Sequence, residues 1–385
     1  MYADRAVLSP VIGDVAGEFG VSLSQMGLLS SAFFLAYAVL QIPFGFVANT
    51  IGRKRLLVVG FAGFGLTTAL SGLAPGFGML LVLSLLTGVG QATYYPTQFS
   101  ISAEAIPRRG RAFGLAIVNN GMAVGVAGGT VVASLLAFQL HLGWRVAFLI
   151  MGVLTVGAAA ALAAVVFEPK AHAAGVRGAR SRAPLFSGRQ VAAYLAGFCS
   201  LYGFFVILVW LPYYLAHARG LGDVSGGLVS TLATLPAIPV ALIAARLSDR
   251  WRSRRRLLVV LFPVAGASLA AVPLAPSLPL LIVALIVYGM SGKLVADPLV
   301  AAYLADATEP RAYSAAYGLL NFGGMASSVI APALTGLIAE ATGALDLGFY
   351  LAGALLFVGL AIMVFLGREA AAPATRPFTS REAPR

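Results

Sequence analysis

Four ionisable residues stand inside long apolar runs: Asp4 and Arg5 near the start of the chain, Lys293 and Asp297 in its last third. A charged side chain in hydrocarbon costs roughly 2.5–3.5 kcal/mol even on the mildest scales, so each needs a chemical reason. Arg5 offers a planar fork that meets a carboxylate through two parallel hydrogen bonds, and Lys293 offers a point charge. Together they would form a two-sided clamp for an anion. Lys293 and Asp297 are also spaced i, i+4, so they share a helix face and would equally form an internal ion pair. Asp4 would then neutralise a cation on a neighbouring helix. Both readings fit the spacing. An aspartate in such a place can also carry a proton, holding a cation when ionised and releasing it when protonated.

The elements that position these residues follow from composition. Of 385 residues, 59% are hydrophobic and 10% charged, against about 25% charged in a soluble domain. A water-soluble enzyme and a disordered chain are both excluded, and the lipid bilayer is the expected partner. A span needs about 20 apolar residues, and the apolar runs predict twelve: roughly 2–19, 25–48, 56–75, 77–104, 112–139, 144–167, 190–217, 224–248, 256–275, 278–304, 313–341 and 347–367. The organisation is a six-helix half over 1–167, a linker over 168–189, a second six-helix half over 190–367 and a tail over 368–385. Twenty-two of the 26 Lys and Arg fall in loops on one side and only Arg145 and Arg219 on the other. That bias predicts both termini and the linker in the cytoplasm, with a bacterial inner membrane as the address. It also accounts for the net charge of +12 without a nucleic-acid partner.

At about 1.5 Å per helical residue, Arg5 lies ~20 Å from Glu18, Gln91 ~18 Å from Met79 and Lys293 ~20 Å from Leu280. The three share a level slightly past mid-membrane. Span 1 is short for this depth: about 10 further residues would be needed to cross the remaining half, so the first helix is expected to be truncated at its N-terminus. No chemistry competes with transport. Cys199 is alone, the three histidines fall in loops or at span ends, no metal cluster or cofactor motif stands out, and no GxxxxGK[ST] loop is present to drive transport with ATP. The short loops suit a monomer and leave little surface for a sensor or scaffold.

The chain repeats itself. Gly20, Gly27, Leu28 and Ser30 recur as Gly220, Gly227, Leu228 and Ser230, at an offset of 200. Pro96, Glu104 and Asn119 correspond to Pro298, Asp306 and Asn321 at 202, which pairs Gln91 with Lys293. Two pseudosymmetric halves are a transporter architecture.

The run Gly45 to Arg55, with Asn49, Gly52 and Arg53, resembles the loop signature between spans 2 and 3 of the major facilitator superfamily, and its second copy keeps Asp249 and Arg250. The resemblance covers about residues 2–367. It implies an all-α polytopic fold of two six-helix halves, gating roles for Gly45, Asn49, Gly52, Arg53, Asp249 and Arg250, and a central cavity lined by spans 1, 4, 7 and 10. Arg5 would then face Lys293 across that cavity. The segment Tyr2 to Ser9 is similar to the first span of the organic anion:cation symporters of this superfamily. There the arginine binds a substrate carboxylate and a nearby acid carries a proton, which gives the proton to Asp4 first and Asp297 second. Gln91 stands where that group often has a glutamate. Gln91, Tyr95, Asn119, Tyr202, Trp210 and Asn321 complete the expected pocket. The function implied is proton-coupled uptake of a small organic anion, a carboxylate or sugar acid, by alternating access. The alternative is a drug or metabolite exporter of the same fold, to which the glycine run 121–129 of span 5 also points; close helix packing is the other reading of those glycines.

Overall fold

The computed structural model describes residues 1–94, 97–98, 111–166, 185–251, 254–309 and 313–367. Among them the regular structure is helical. The N-terminal half contains α1 (Tyr2–Ala6), a 3-10 turn (Ser9–Val11), α2 (Ile12–Phe19), α3 (Leu23–Ile51), α4 (Arg53–Ser71), α5 (Phe77–Gln91), α6 (Arg111–Ser134) and α7 (Gly143–Val165). The C-terminal half contains α8 (Gly188–Tyr213), α9 (Asp223–Ser230), α10 (Ala237–Trp251), α11 (Arg254–Leu274), α12 (Leu278–Ser291), α13 (Lys293–Asp306), α14 (Tyr313–Thr342) and α15 (Asp346–Phe365). Nine helical segments among the described residues are long and apolar enough to cross a membrane. The three expected spans outside that set have visible causes. Span 1 is broken in two, α4 opens on three consecutive cations, and α5 stops after fifteen residues.

Spans 1, 8 and 10 were expected as continuous helices and span 4 with a bend at Pro96, and each is interrupted. In span 1, Pro10 has no N–H for the Ala6 carbonyl and its ring crowds that oxygen, so α1 ends at Ala6 and the chain re-enters through a 3-10 turn. Span 4 leaves the helix after Gln91, ahead of Pro96, whose own placement lies outside the described residues. Span 10 breaks at Gly292, with backbone angles of −75° and −163°, and restarts at Lys293. Span 8 unwinds between Ser230 and Ala237 around Pro236. The breaks in spans 4 and 10 occupy matching positions of the repeat.

The repeated glycines have repeated jobs. Gly20 and Gly220 both take left-handed backbone angles, φ 63° and 65°, where a side chain would be strained. Gly27 packs its backbone against Pro332 of α14, and Gly227 packs against Ser134 and Thr130 of α6. Each glycine therefore lets a helix of one half approach a helix of the other. The seam between α3 and α14 carries Ser22 to Glu340 (3.1 Å), Ser31 Oγ to the Val329 carbonyl (2.6 Å) and Asn321 Nδ2 to Gln41 Oε1 (3.0 Å). Among the described residues these links run from the end bearing Ser22 down to Gln41 and stop ten residues short of the arginine-rich end of α3.

Within the N-terminal half, α4 and α7 meet backbone to backbone. A Cβ at Gly152 would stand 2.5 Å from the Gly65 carbonyl oxygen and 2.6 Å from Ala69 Cα, while Gly157 on the same helix has open space. Gly152→Ala is expected to cost about 1–3 kcal/mol by overpacking and to lower the thermal unfolding midpoint in detergent. Gly157→Ala should leave that midpoint where it is.

Candidate anion site at the helix breaks

Three expected binding residues sit at three of the breaks. Arg5 is next to last in α1, Gln91 ends α5, and Lys293 begins α13. Glycines bring the first of these helices into place. Gly125 and Gly129 of α6 lie against the backbone of Tyr2 and Ala3, and a Cβ at Gly125 would stand 2.9 Å from Tyr2 Cβ. The glycine run of span 5 thus serves as the bed for the helix that carries Asp4 and Arg5.

Arg5 is half-buried and held on two sides. Its Nε donates to Gln91 Oε1 at 2.8 Å. Its guanidinium carbon stands 4.1 Å from the Tyr37 ring centroid, with the rings of Tyr2, Phe33 and Phe34 at 5.0, 5.6 and 5.7 Å. Cation–π contacts of this kind contribute about 0.5–2 kcal/mol when desolvated. Arg5 Nη2 and Gln91 Nε2 are both buried without a hydrogen-bond partner among the described residues. The Arg5–Gln91 bond fixes the Gln91 amide, so its NH2 is committed to donate elsewhere. Two orphan donors side by side in a low-dielectric interior form a site that lacks only an acceptor.

Asp4 does not pair with a cation of another helix, as its structural reading had it. Its carboxylate accepts from Thr155 Oγ1 of α7 at 2.9 and 3.1 Å and lies 3.3 Å from the Met1 amino group. Lys293 Nζ is 3.0 Å from Asp297 Oδ2, so the i, i+4 pair is formed. The ammonium also reaches into the other half, 3.4 Å from Met122 Sδ of α6, and stands 5.0 Å from the Phe204 ring centroid. The lysine side chain is 9% exposed and the Asp297 side chain 35%. Phe204 contacts Phe205 at 5.5 Å, and Phe205 contacts Phe34 at 4.7 Å. A run of aromatic rings therefore joins the surroundings of the two cations across the halves.

The other expected pocket residues divide. Tyr202 and Trp210 are fully buried in α8. Tyr202 packs beside Phe198 at 6.3 Å, and Trp210 Nε1 donates to the Pro332 carbonyl at 3.2 Å. Neither has a hydrogen bond or ring contact with Arg5 or Lys293, and Asn321 is tied to Gln41 in the seam. Tyr95 and the side chains of Asn119, Asn49, Asp249 and Arg250 lie outside the described residues. Gly45 is inside α3, and Gly52 takes φ 94° in the turn before α4, which Arg53 opens. In the second copy of that loop, Arg254 Nη1 bonds Asp306 Oδ2 at 2.6 Å, and Arg255 donates to the Met363 and Val364 carbonyls at the end of α15. Asp306 thus pairs within its own half. Tyr37, Phe33, Phe34, Phe204, Met122 and Thr155 were missed from sequence. Only the spacing of Phe33, Phe34 and Tyr37 along one helix hinted at them.

The sequence profile of the Major Facilitator Superfamily matches residues 1–294 and, in a second match, 193–385. A probable sulfoacetate transporter of Cupriavidus necator is 27% identical, over 95% of this chain and 90% of its own length. A probable galactarate/D-glucarate transporter of Bacillus subtilis is 25% identical, over 93% and 85%. A probable L-galactonate transporter of Escherichia coli K12 is 26% identical, over 96% and 86%. Among solved structures, a bacterial homologue of the human lysosomal transporter Spinster, in an inward-facing and occupied conformation, superposes with a TM-score of 0.72. That match covers 95% of this chain and 93% of the other, at 17% identity, and bears on the fold.

The Lys293–Asp297 pair is testable by a double-mutant cycle. Lys293→Met should destabilise by leaving Asp297 without its cation, and adding Asp297→Leu should restore much of the loss. The coupling energy expected from unfolding midpoints is about 0.5–3 kcal/mol; additivity of the two changes would show that the pair contributes nothing.

Proposed function

Because the chain belongs to the Major Facilitator Superfamily, we propose that it is a secondary transporter moving a small organic anion across the membrane by alternating access with proton symport. The observation that carries this reading is the pair of orphan donors, Arg5 Nη2 and Gln91 Nε2, at the level where α1 and α5 end. An unpaired buried donor costs about 1–3 kcal/mol, and one carboxylate or sulfonate offers acceptors to both. The names of the relatives point the same way, since sulfoacetate, glucarate, galactarate and galactonate all carry a carboxylate. Lys293, held by Asp297 while no anion is bound, serves the far end of the substrate from the other half.

In this reading Asp4 carries the proton and Asp297 is the second candidate. The arginine-rich ends face the cytoplasm of a bacterium, together with both termini, the linker 168–189 and the tail 368–385, and the two halves 1–167 and 190–367 rock as a monomer. The seam from Ser22 to Gln41 supports the closed end being the outer one, and the outward-open state would part it. Drug export on the same fold gains no support from span 5, whose glycines seat α1, or from a site built of donors.

Uptake into proteoliposomes of labelled sulfoacetate, D-glucarate and L-galactonate, with an acidic exterior, is the test. At least one is expected to accumulate, and Arg5→Ala or Gln91→Leu should lower its uptake roughly 10-fold or more, from the loss of a charge-assisted hydrogen bond of about 1.5–3 kcal/mol. Normal transport by both Arg5→Ala and Lys293→Ala would sink the clamp, and indifference to external pH would sink symport. Gly27→Val should wedge the seam apart at Pro332. A cysteine placed at Ser31 should then react faster with a membrane-impermeant thiol reagent added outside; an unchanged rate would speak against the outer end being the one that opens.

A further inference from the structure

A cavity of about 60 Å³ is lined by the N-terminal half and, at one point, by Val209 of α8, with Asp4 and Arg5 at one end. That is room for about four waters, at roughly 10–15 Å³ of such space for each. Its walls carry hydroxyls from three helices, Ser30 of α3, Thr68 and Ser71 of α4, and Ser84 and Thr87 of α5. Ser71, Ser84 and Thr87 donate their protons to backbone carbonyls at 2.9, 3.3 and 2.8 Å. They therefore turn lone pairs, not protons, toward the cavity. Thr68 Oγ1 is buried without a hydrogen-bond partner among the described residues. Walls of acceptors with one orphan hydroxyl suit water, which supplies the donors.

The cavity has a direction. Ser71 is the last residue of α4 and Leu80 lies in the first turn of α5, so the walls run from the level of Arg5 toward the helix ends opposite the arginine-rich ones. At those ends the passage between the halves is sealed by Ser9 on the Val209 carbonyl, by Gly27 on Pro332 and by Ser22 near Glu340. The rings of Phe33 and Phe34 form its wall toward the central site, and none of Lys293, Asp297, Met122 or Phe204 borders it.

We propose that this cavity is a proton inlet: a file of waters held by Ser71, Thr68, Thr87 and Ser84 that reaches Asp4 from the outer end without passing Lys293. A hydronium ion at the mouth gives up one proton, each water passes one on, and an Asp4 carboxylate oxygen gains the last. The carboxyl thus becomes neutral, and one positive charge has entered. The charged and titratable groups facing Asp4 and its neighbour are few. Among the described residues, Tyr2, Arg5 and the Met1 amino group come with its own segment, α3 brings Tyr37, Tyr94 follows α5, α6 brings Gly125 and Gly129, and α7 brings Thr155. The inlet rests on Asp4 being the proton carrier.

The test compares two assays on the same proteoliposomes, using whichever of sulfoacetate, D-glucarate and L-galactonate is transported best. Exchange at equal pH on both sides does not need net proton entry, whereas uptake driven by an acidic exterior does. Thr68→Val with Ser84→Ala is expected to leave exchange rate and KM within twofold of wild type and to cut pH-driven uptake at least fivefold, with Thr68→Ser restoring most of it. Unchanged pH-driven uptake would overturn the inlet. So would a parallel fall in exchange or a shift in KM, which would place the cavity in the substrate pocket or in packing. Asp4→Asn separates the premise: if that variant stays pH-driven, Asp4 is not the carrier and both ideas fail. If it uncouples while the hydroxyl variant couples normally, only the inlet falls.

Discussion

A guanidinium inside the hydrocarbon layer must be answered by its surroundings, and the arrangement of the N-terminal half follows from answering Arg5. The protein answers it with a glutamine oxygen, an aromatic face and three further rings. Each answer requires a departure from a plain helix. Pro10 ends α1 just after Arg5, α5 stops at Gln91, and the glycines of α6 let α1 lie backbone to backbone against them. The result is deliberately incomplete in chemical terms. Arg5 Nη2 and the amide nitrogen of Gln91 keep donors that no other described residue satisfies. A site fully satisfied by its own residues would have no free energy left for a ligand.

The pseudosymmetry distributes these departures over both halves while letting the chemistry diverge. Gly20 and Gly220 keep the same backbone angles, and Gly27 and Gly227 keep the same task of admitting the opposite half. Spans 4 and 10 break at matching positions of the repeat, yet one presents a neutral amide and the other an ammonium that carries its own counter-ion. Backbone features that set the approach of helices are copied between the halves, and the side chains at the breaks are not.

Much of this was legible in the sequence, for reasons that differ by residue. Asp4, Arg5, Lys293 and Asp297 declared themselves because an ionisable group in an apolar run is costly. Helical rise alone put Arg5, Gln91 and Lys293 at one expected depth, and all three stand at helix breaks. The breaks themselves were only partly foreseen. Pro96 announced a bend in span 4, but Gly292 reads like any of the 44 glycines. Trp210 and Asn321 had the right chemistry for a pocket and were claimed by the seam, where a buried indole N–H took the Pro332 carbonyl and an amide took Gln41. One chain gives no means of seeing which polar side chain faces a neighbouring helix. Tyr37 was passed over for the same reason, because an aromatic residue becomes a cation's support only once the cation's helix is beside it.

The Lys293–Asp297 pair also bears on how the carrier responds to voltage. Moving one elementary charge through a membrane potential involves about 2.3 kcal/mol per 100 mV, but a cation and an anion one helical turn apart, 3.0 Å between their charged atoms, move as a dipole. The field does almost no net work on them. While that bond is intact the C-terminal half is electrically silent at this depth, and any sensitivity to potential must enter through Arg5, Asp4 and the ions they hold.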